Sequence, residues 1–191
     1  PFGTGGFQHF IGVDIHFVTN EIGYIITNNE ILKTTDAGEN WTLSQGISSA
    51  NDLKFCNSSG FIVGNSGYVI KSTDNGNTWN SISTGTNDNF NSVNMINEDT
   101  ILISSSNKLL SSYDGGSNWQ SYNITGYSVN KTFFLNSKVG HAACKSGKII
   151  KTINGGLNWY VTESVTTTPS DFFTIYFINN EVGFATREHN D

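Results

Sequence analysis

Thr34-Thr35-Asp36-Ala37-Gly38-Glu39-Asn40-Trp41 recurs three more times in this chain, as Ser72-Thr73-Asp74-Asn75-Gly76-Asn77-Thr78-Trp79, Ser112-Tyr113-Asp114-Gly115-Gly116-Ser117-Asn118-Trp119 and Thr152-Ile153-Asn154-Gly155-Gly156-Leu157-Asn158-Trp159. All four tryptophans of the protein stand in these copies, separated by 38, 40 and 40 residues. A fixed period of that length marks a repeat architecture. The shared pattern, [ST]-x-[DN]-x-G-x-x-W, reads as a tight turn between two strands. The short Asp or Asn side chain accepts backbone N–H groups two or three residues on, and the glycine takes a positive φ that other residues resist. The Ser or Thr hydroxyl bonds the same turn. Tryptophan then opens the next strand and sets a large apolar ring against the neighbouring repeat.

Outward from each copy the same grammar holds. Before the first lie Val13–Val18, Ile22–Ile26 and Glu30–Thr34, each with a strand pattern, and Trp41–Ser44 follows as a fourth strand. A second signature fixes the register: Phe17 to Gly23, Phe134 to Gly140 and Phe177 to Gly183 are nearly one sentence. The predicted repeats run 13–45, 51–84, 91–123 and 129–163, with a partial fifth over 172–187 that lacks its third and fourth strands. Short strands at even spacing in four-stranded meanders predict an all-β fold, a β-propeller of antiparallel blades with the turn motif between third and fourth strands. The glycine-rich start, with Gly6–Phe10, is a candidate closing strand for the fifth blade.

These residues resemble the BNR or Asp-box repeat, and the fuller pattern is most similar to Ycf48-like bacterial repeat proteins, known as photosystem II assembly factors. The resemblance spans Val13 to Thr186. It implies a non-catalytic scaffold that holds a partner protein. It also touches sialidases and glycoside hydrolases, whose Asp boxes lie at the blade periphery, away from the active site. On this resemblance Thr34, Asp36, Gly38, Trp41, Ser72, Asp74, Gly76, Trp79, Ser112, Asp114, Gly116, Trp119, Thr152, Asn154, Gly156 and Trp159 are structural rather than catalytic. The arginine-rich patch that the Ycf48 resemblance implies has no counterpart, because Arg187 is the only arginine.

Composition narrows the function. A net charge of −6 argues against nucleic acid and anionic membranes as partners. No run of 18 apolar residues exists to span a membrane, and no basic start leads into an apolar stretch as in a signal peptide. One arginine cannot grip a sialic acid carboxylate as a cluster does. A glycosidase needs two carboxylates across a cleft, and Asp14, Asp52 and Asp171 stand out because each lies at or just before a first strand, the strand that lines a propeller's channel. One carboxylate per turn does not supply the six to eight oxygens calcium takes, and His9, His16, His141 and His189 lack metal-ligand spacing. No cofactor or metal is therefore expected. Lys33, Lys71 and Lys151 recur at one phase and read as solvated rim residues, with an anion site as the alternative. Cys56 and Cys144 fall at different phases, which disfavours a disulfide. The sequons at Asn40, Asn57, Asn123 and Asn130 are expected by chance in so Asn-rich a chain. Loops 83–91 and 162–171 are long enough for recognition. The amide- and hydroxyl-rich surface suits a secreted, periplasmic or cell-surface bacterial module that binds protein or glycan.

Overall fold

The structure, a computed structural model, describes residues 12–164 and 170–187; the candidate closing strand at Gly6–Phe10 lies outside them. The first sheet holds β1 (Gly12–Phe17), β2 (Gly23–Thr27), β3 (Glu30–Thr34) and β4 (Thr42–Gly46). The second holds β5 (Ala50–Cys56), β6 (Ser59–Gly64), β7 (Val69–Ser72) and β8 (Asn80–Ser81). In the third are β9 (Phe90–Met95), β10 (Ile101–Ser105), β11 (Lys108–Ser112) and β12 (Gln120–Asn123). In the fourth are β13 (Val129–Phe134), β14 (Gly140–Cys144), β15 (Lys148–Thr152) and β16 (Tyr160–Ser164), and a two-stranded sheet pairs β17 (Phe172–Phe177) with β18 (Gly183–Arg187). Every sheet is an antiparallel meander in chain order, the arrangement of propeller blades.

Burial explains why the strands differ in composition. β6, β10 and β14 are buried along their whole length, because a middle strand meets the blade before on one face and the blade after on the other. The outer strands β4 and β16 are almost wholly exposed and correspondingly polar. The core is a series of layers between blades rather than one centre. Tyr24, Ile26 and Ile31 of the first blade bury with Leu53, Phe55 and Trp79 of the second. Phe61 and Val63 then bury with Phe90, Ile101 and Leu110, and Leu102 and Leu109 with Val129, Phe134 and Ile150.

Each Asp box closes on itself by one scheme. In the first, the Thr34 hydroxyl donates to Asp36 Oδ1 at 2.7 Å and accepts the Gly38 N–H at 2.9 Å. Asp36 Oδ1 accepts the Asn40 N–H at 2.9 Å, and the Trp41 indole donates to the Gly38 carbonyl at 3.1 Å. The carboxylate thus reaches four residues on, not the two or three that the sequence predicts. Two consecutive residues of positive φ, Ala37 at 60° and Gly38 at 90°, curl the chain back far enough to present that N–H. Ser72 and Ser112 bond Asp74 and Asp114 in the same way, and Thr152 bonds Asn154 at 3.0 Å, so the turn needs the oxygen and not the charge. Where it is charged, hydrogen bonds from residues 40, 78 and 118 and from the hydroxyl hold the carboxyl down at about 2.

The tryptophans stand just before the fourth strands rather than opening them. Three of the rings meet a phenylalanine of their own blade edge-on: Trp41 on Phe17, Trp79 on Phe55 and Trp159 on Phe134, at centroid distances of 5.6 to 6.1 Å. Trp79, Trp119 and Trp159 also pack in layers shared with the preceding blade.

Candidate functional site

The first strands β1, β5, β9 and β13 pack on one another in order, and β17 on β13, so they form the inner wall of the propeller. Each of the five blades carries a β-bulge at the same place on this wall: between Gly12 and Asp14, Ala50 and Asp52, Phe90 and Ser92, Val129 and Lys131, and Phe172 and Thr174. A bulge re-aims side chains at a sheet edge. Here it turns Asp14, Asp52, Lys131 and Thr174 toward one cavity of about 220 Å3, which His16, Lys54 and Tyr176 also line.

The acids on this wall join blades. Asp14 Oδ2 accepts the Leu53 N–H of the next blade at 3.2 Å, and Asp52 Oδ2 accepts the Val93 N–H of the blade after at 2.7 Å. Ser92, one blade further, donates its hydroxyl to the Thr132 carbonyl at 3.2 Å. Lys131 reaches back to Asp52 Oδ1 at 2.6 Å. Asp14 stands near enough to Asp52 to add to the upward push on that carboxyl. Asp52 is 3% exposed, and burial pushes its carboxyl up to about 6 despite the lysine. His16, driven down to about 4 by burial and by Lys54, is neutral at pH 7.

Of the three acids singled out in the sequence, Asp14 and Asp52 therefore converge and Asp171 does not. Asp171 instead accepts the Ser146 N–H at 3.0 Å. A glycosidase pair keeps its carboxyls free for a sugar held between them, whereas Asp52 spends both oxygens on the protein, Oδ1 on Lys131 and Oδ2 on the Val93 N–H. The site has convergent charge, and its acids are engaged as joints between blades.

Beside the acids runs a second row of joints that the sequence reading overlooked. Asn51, Asn91 and Asn130, the bulged residues of three consecutive blades, donate side-chain N–H bonds to the carbonyls of Phe90, Val129 and Phe172 at 2.8, 2.8 and 2.9 Å. Their spacing of 40 and 39 residues is the signal that would have revealed them.

Two other expectations change. Lys33 and Lys71 are not simply solvated. They tie one blade to the next blade's Asp box, Lys33 to Asn77 Oδ1 and Lys71 to the Gly115 carbonyl, both at 2.7 Å. Their aliphatic stems reach across the Tyr24 and Phe61 rings, with the ammonium 5.6 Å from each centroid. Loop 83–91 is not free either: Asp88 pairs with Lys108 at 2.7 Å, and the Gly67 N–H donates to the Asp88 carbonyl at 2.8 Å. Residues 165–169 of loop 162–171 lie outside the described set. Cys56 and Cys144 are free thiols. Among the described residues, no group of three or more His, Cys, Asp or Glu is placed to hold a metal, and no helix is long and apolar enough to cross a membrane.

Repeated four-stranded meanders, Asp boxes between their third and fourth strands and a polar inner wall define an Asp-box β-propeller. The chain belongs to the family described as photosynthesis system II assembly factor YCF48, whose sequence profile matches residues 7–85 and 44–126. It is similar to a structure of YCF48 bound to D1 peptide at 15% identity and a TM-score of 0.54, over 94% of this chain and 92% of that one. YCF48 from Cyanidioschyzon merolae is similar at 14% identity and a TM-score of 0.67, over 87% of this chain and 63% of the other. The GH74 xyloglucanase from Xanthomonas campestris gives 11% identity and a TM-score of 0.70 over 98% of this chain, which spans 34% of that enzyme. No curated protein sequence matches the chain.

Proposed function

We propose that this chain is a non-catalytic Asp-box propeller that holds a protein partner as an assembly scaffold, within a secreted, periplasmic or cell-surface bacterial protein. The observation that carries this reading is the state of Asp14 and Asp52: both accept backbone N–H groups of the following blades, and Asp52 also pairs with Lys131, so they serve as joints. Membership of the YCF48 family supports it, as does the D1 peptide bound to one YCF48 structure. Only one arginine is present and the net charge is −6, so the partner segment is uncharged or basic rather than acidic. The amide- and hydroxyl-rich surface, low in lysine, supports an extracytoplasmic setting.

The second reading is a segment of a glycoside hydrolase or carbohydrate-binding propeller whose active residues lie largely outside this chain, which the likeness to the GH74 fold keeps in view. Two assays separate them. Incubation with xyloglucan should release no reducing ends above a protein-free control, and calorimetric titration with a D1 peptide should saturate at one peptide per chain. Sugar release that Asp52→Asn removes would overturn the scaffold in favour of the hydrolase.

A further inference from the structure

Asn75-Gly76 and Asn154-Gly155 are the two places in this chain where glycine follows asparagine, and both stand inside Asp boxes. Such a pair is prone to lose the side-chain amide, because no Cβ shields the glycine nitrogen that attacks it. The fold itself calls for these residues. Every box needs two consecutive residues of positive φ, and here they are Asn75 at 58° with Gly76 at 79°, and Gly155 at 71° with Gly156 at 91°. Glycine and asparagine enter that region at least cost. The geometry of the turn thereby sets a side-chain amide beside an unshielded nitrogen.

The same turn occupies the reacting atoms. The Gly76 N–H donates to the Ser72 hydroxyl at 2.8 Å, and the Gly155 N–H to the Lys138 carbonyl at 2.9 Å. Each nitrogen must give up that bond, and then its proton, before it can attack. At Asn154 the side-chain amide is held as well, since its Oδ1 accepts the Thr152 hydroxyl and the Asn158 N–H, both at 3.0 Å. At Asn75 the ties fall on the main chain: its N–H donates to the Ser58 carbonyl, and its carbonyl accepts the Tyr24 hydroxyl. The preceding blade closes over both turns, with the Tyr24 ring against Gly76 and Leu109 against Gly156, as the Phe61 ring lies against Gly116 of the third box. Gly76, Gly155 and Gly156 are buried beneath these side chains.

We infer that Asn75 and Asn154 are latent deamidation sites, which the closed Asp box keeps shut and local opening of the box releases. On opening, the glycine nitrogen forms a bond to the asparagine Cγ, the bond from Cγ to the side-chain nitrogen breaks, and ammonia leaves with the proton that the glycine nitrogen has lost. Water then opens the five-membered succinimide. Attack at one carbonyl gives aspartate and at the other isoaspartate, and either product adds one negative charge to a chain of net charge −6. The two products differ in what they do to the fourth box. Aspartate supplies the acceptor that Asp36, Asp74 and Asp114 supply in the others. Isoaspartate puts an extra carbon into the main chain of the turn, so the box cannot close again on Thr152 and Asn158. Asn75 is the faster site, because there only the nitrogen is held. The inference goes beyond the scaffold reading and is independent of it.

The test incubates the protein, folded and in concentrated urea, at mildly alkaline pH, and follows by mass spectrometry the amide-to-acid conversion of peptides holding Asn75 and Asn154. Exchange of the Gly76 and Gly155 amide hydrogens is read by NMR in the same buffer. Both sites should convert in urea, and in the folded protein both should slow by about tenfold or more, Asn154 more than Asn75. Deamidation and hydrogen exchange need the same N–H released, so the slowing at each asparagine should be no smaller than the exchange protection of its glycine. Ser72→Ala removes the acceptor of the Gly76 N–H and should speed conversion of Asn75 about tenfold while Asn154 stays slow. If that variant fails to fold, both sites speed up together, and the match between conversion and exchange in the unaltered protein decides. Conversion of either site in the folded protein at its rate in urea, slow conversion beside unprotected glycine amides, or an unchanged Asn75 in a folded Ser72→Ala protein would each overturn the inference.

Discussion

The layer between the first and second blades and the layer between the fourth blade and the two-stranded sheet start from the same side-chain plan and end differently. In the first, Tyr24, Ile26, Ile31, Phe55 and Trp79 are all less than 9% exposed. In the second, Ala143, Phe172 and Ile175 form the buried cluster, and Phe133, Ile149, Phe177 and Ala185 beside them are only partly buried. The inner strands are present in both layers. What differs is the outer half of the following blade, which in the first layer brings Ile70, Trp79 and the box glycine down onto Tyr24. A propeller layer is thus a nearest-neighbour term that its outer strands complete.

The most severe way to break that contrast is to delete the ring at one equivalent place from a closed layer and from the open face of the two-stranded sheet. Phe61, fully buried against the third box, is expected to cost about 3 to 5 kcal/mol as Phe61→Ala, from lost transfer energy and the cavity left behind. Phe184→Ala, at an equivalent place on an open face, should stay within about 0.5 kcal/mol. Urea midpoints measure both, and similar losses would mean that the open layer is closed in solution.

A smaller effect separates two glycines of nearly equal φ. Gly76 at 79° and Gly126 at 83° both occupy the left-handed region, where alanine costs about 1 to 2 kcal/mol. A Cβ on Gly126 meets nothing within 4 Å, whereas on Gly76 it meets the Tyr24 ring at 2.6 Å. Overpacking adds about 1 to 3 kcal/mol in well-packed surroundings, so Gly76→Ala should exceed Gly126→Ala by about that amount in the same denaturation series. Equal costs would show that Tyr24 swings away freely, and that the box is not gripped.

How much of this was legible in the sequence follows from where each signal resides. The Asp boxes are local: Thr34, Asp36, Gly38 and Trp41 interact within eight residues, so their pattern survives in one linear stretch. Blade number and strand order followed from the period. The joints between blades were not legible, because Asn51 finds its acceptor 39 residues away and Asp52 finds Lys131 at 79. A periodic asparagine in an asparagine-rich chain looks like composition until the bulge shows which way it points. For the same reason the sequence places Asp14 and Asp52 along a channel wall but does not show the backbone N–H groups and the Lys131 ammonium that engage their carboxylates. Lys33 and Lys71 looked solvated because their partners belong to the following repeat.

A further effect falls in a narrow pH window and isolates the imidazole that stands between the fourth blade and the two-stranded sheet. His141 takes the place that Tyr24, Phe61 and Leu102 fill in the other blades, and burial, with Lys151 adding to it, pushes its pKa down to about 4 from an ordinary 6.5. A folded-state pKa below the unfolded one gives stability that is fully present above about 6.5 and is lost as pH falls toward 4, because the unfolded chain takes up the proton first. His141→Phe, which copies the Phe61 position, should flatten that descent and leave the stability above neutrality raised, since two buried ring nitrogens without partners disappear. His16, also held down to about 4, remains in the variant and supplies the residual slope. Urea midpoints across the window would show it. If the descent were unchanged in His141→Phe, the ring would already be solvated through the open side of the layer, and the contrast between the two layers would extend to their polar groups as well as their apolar ones.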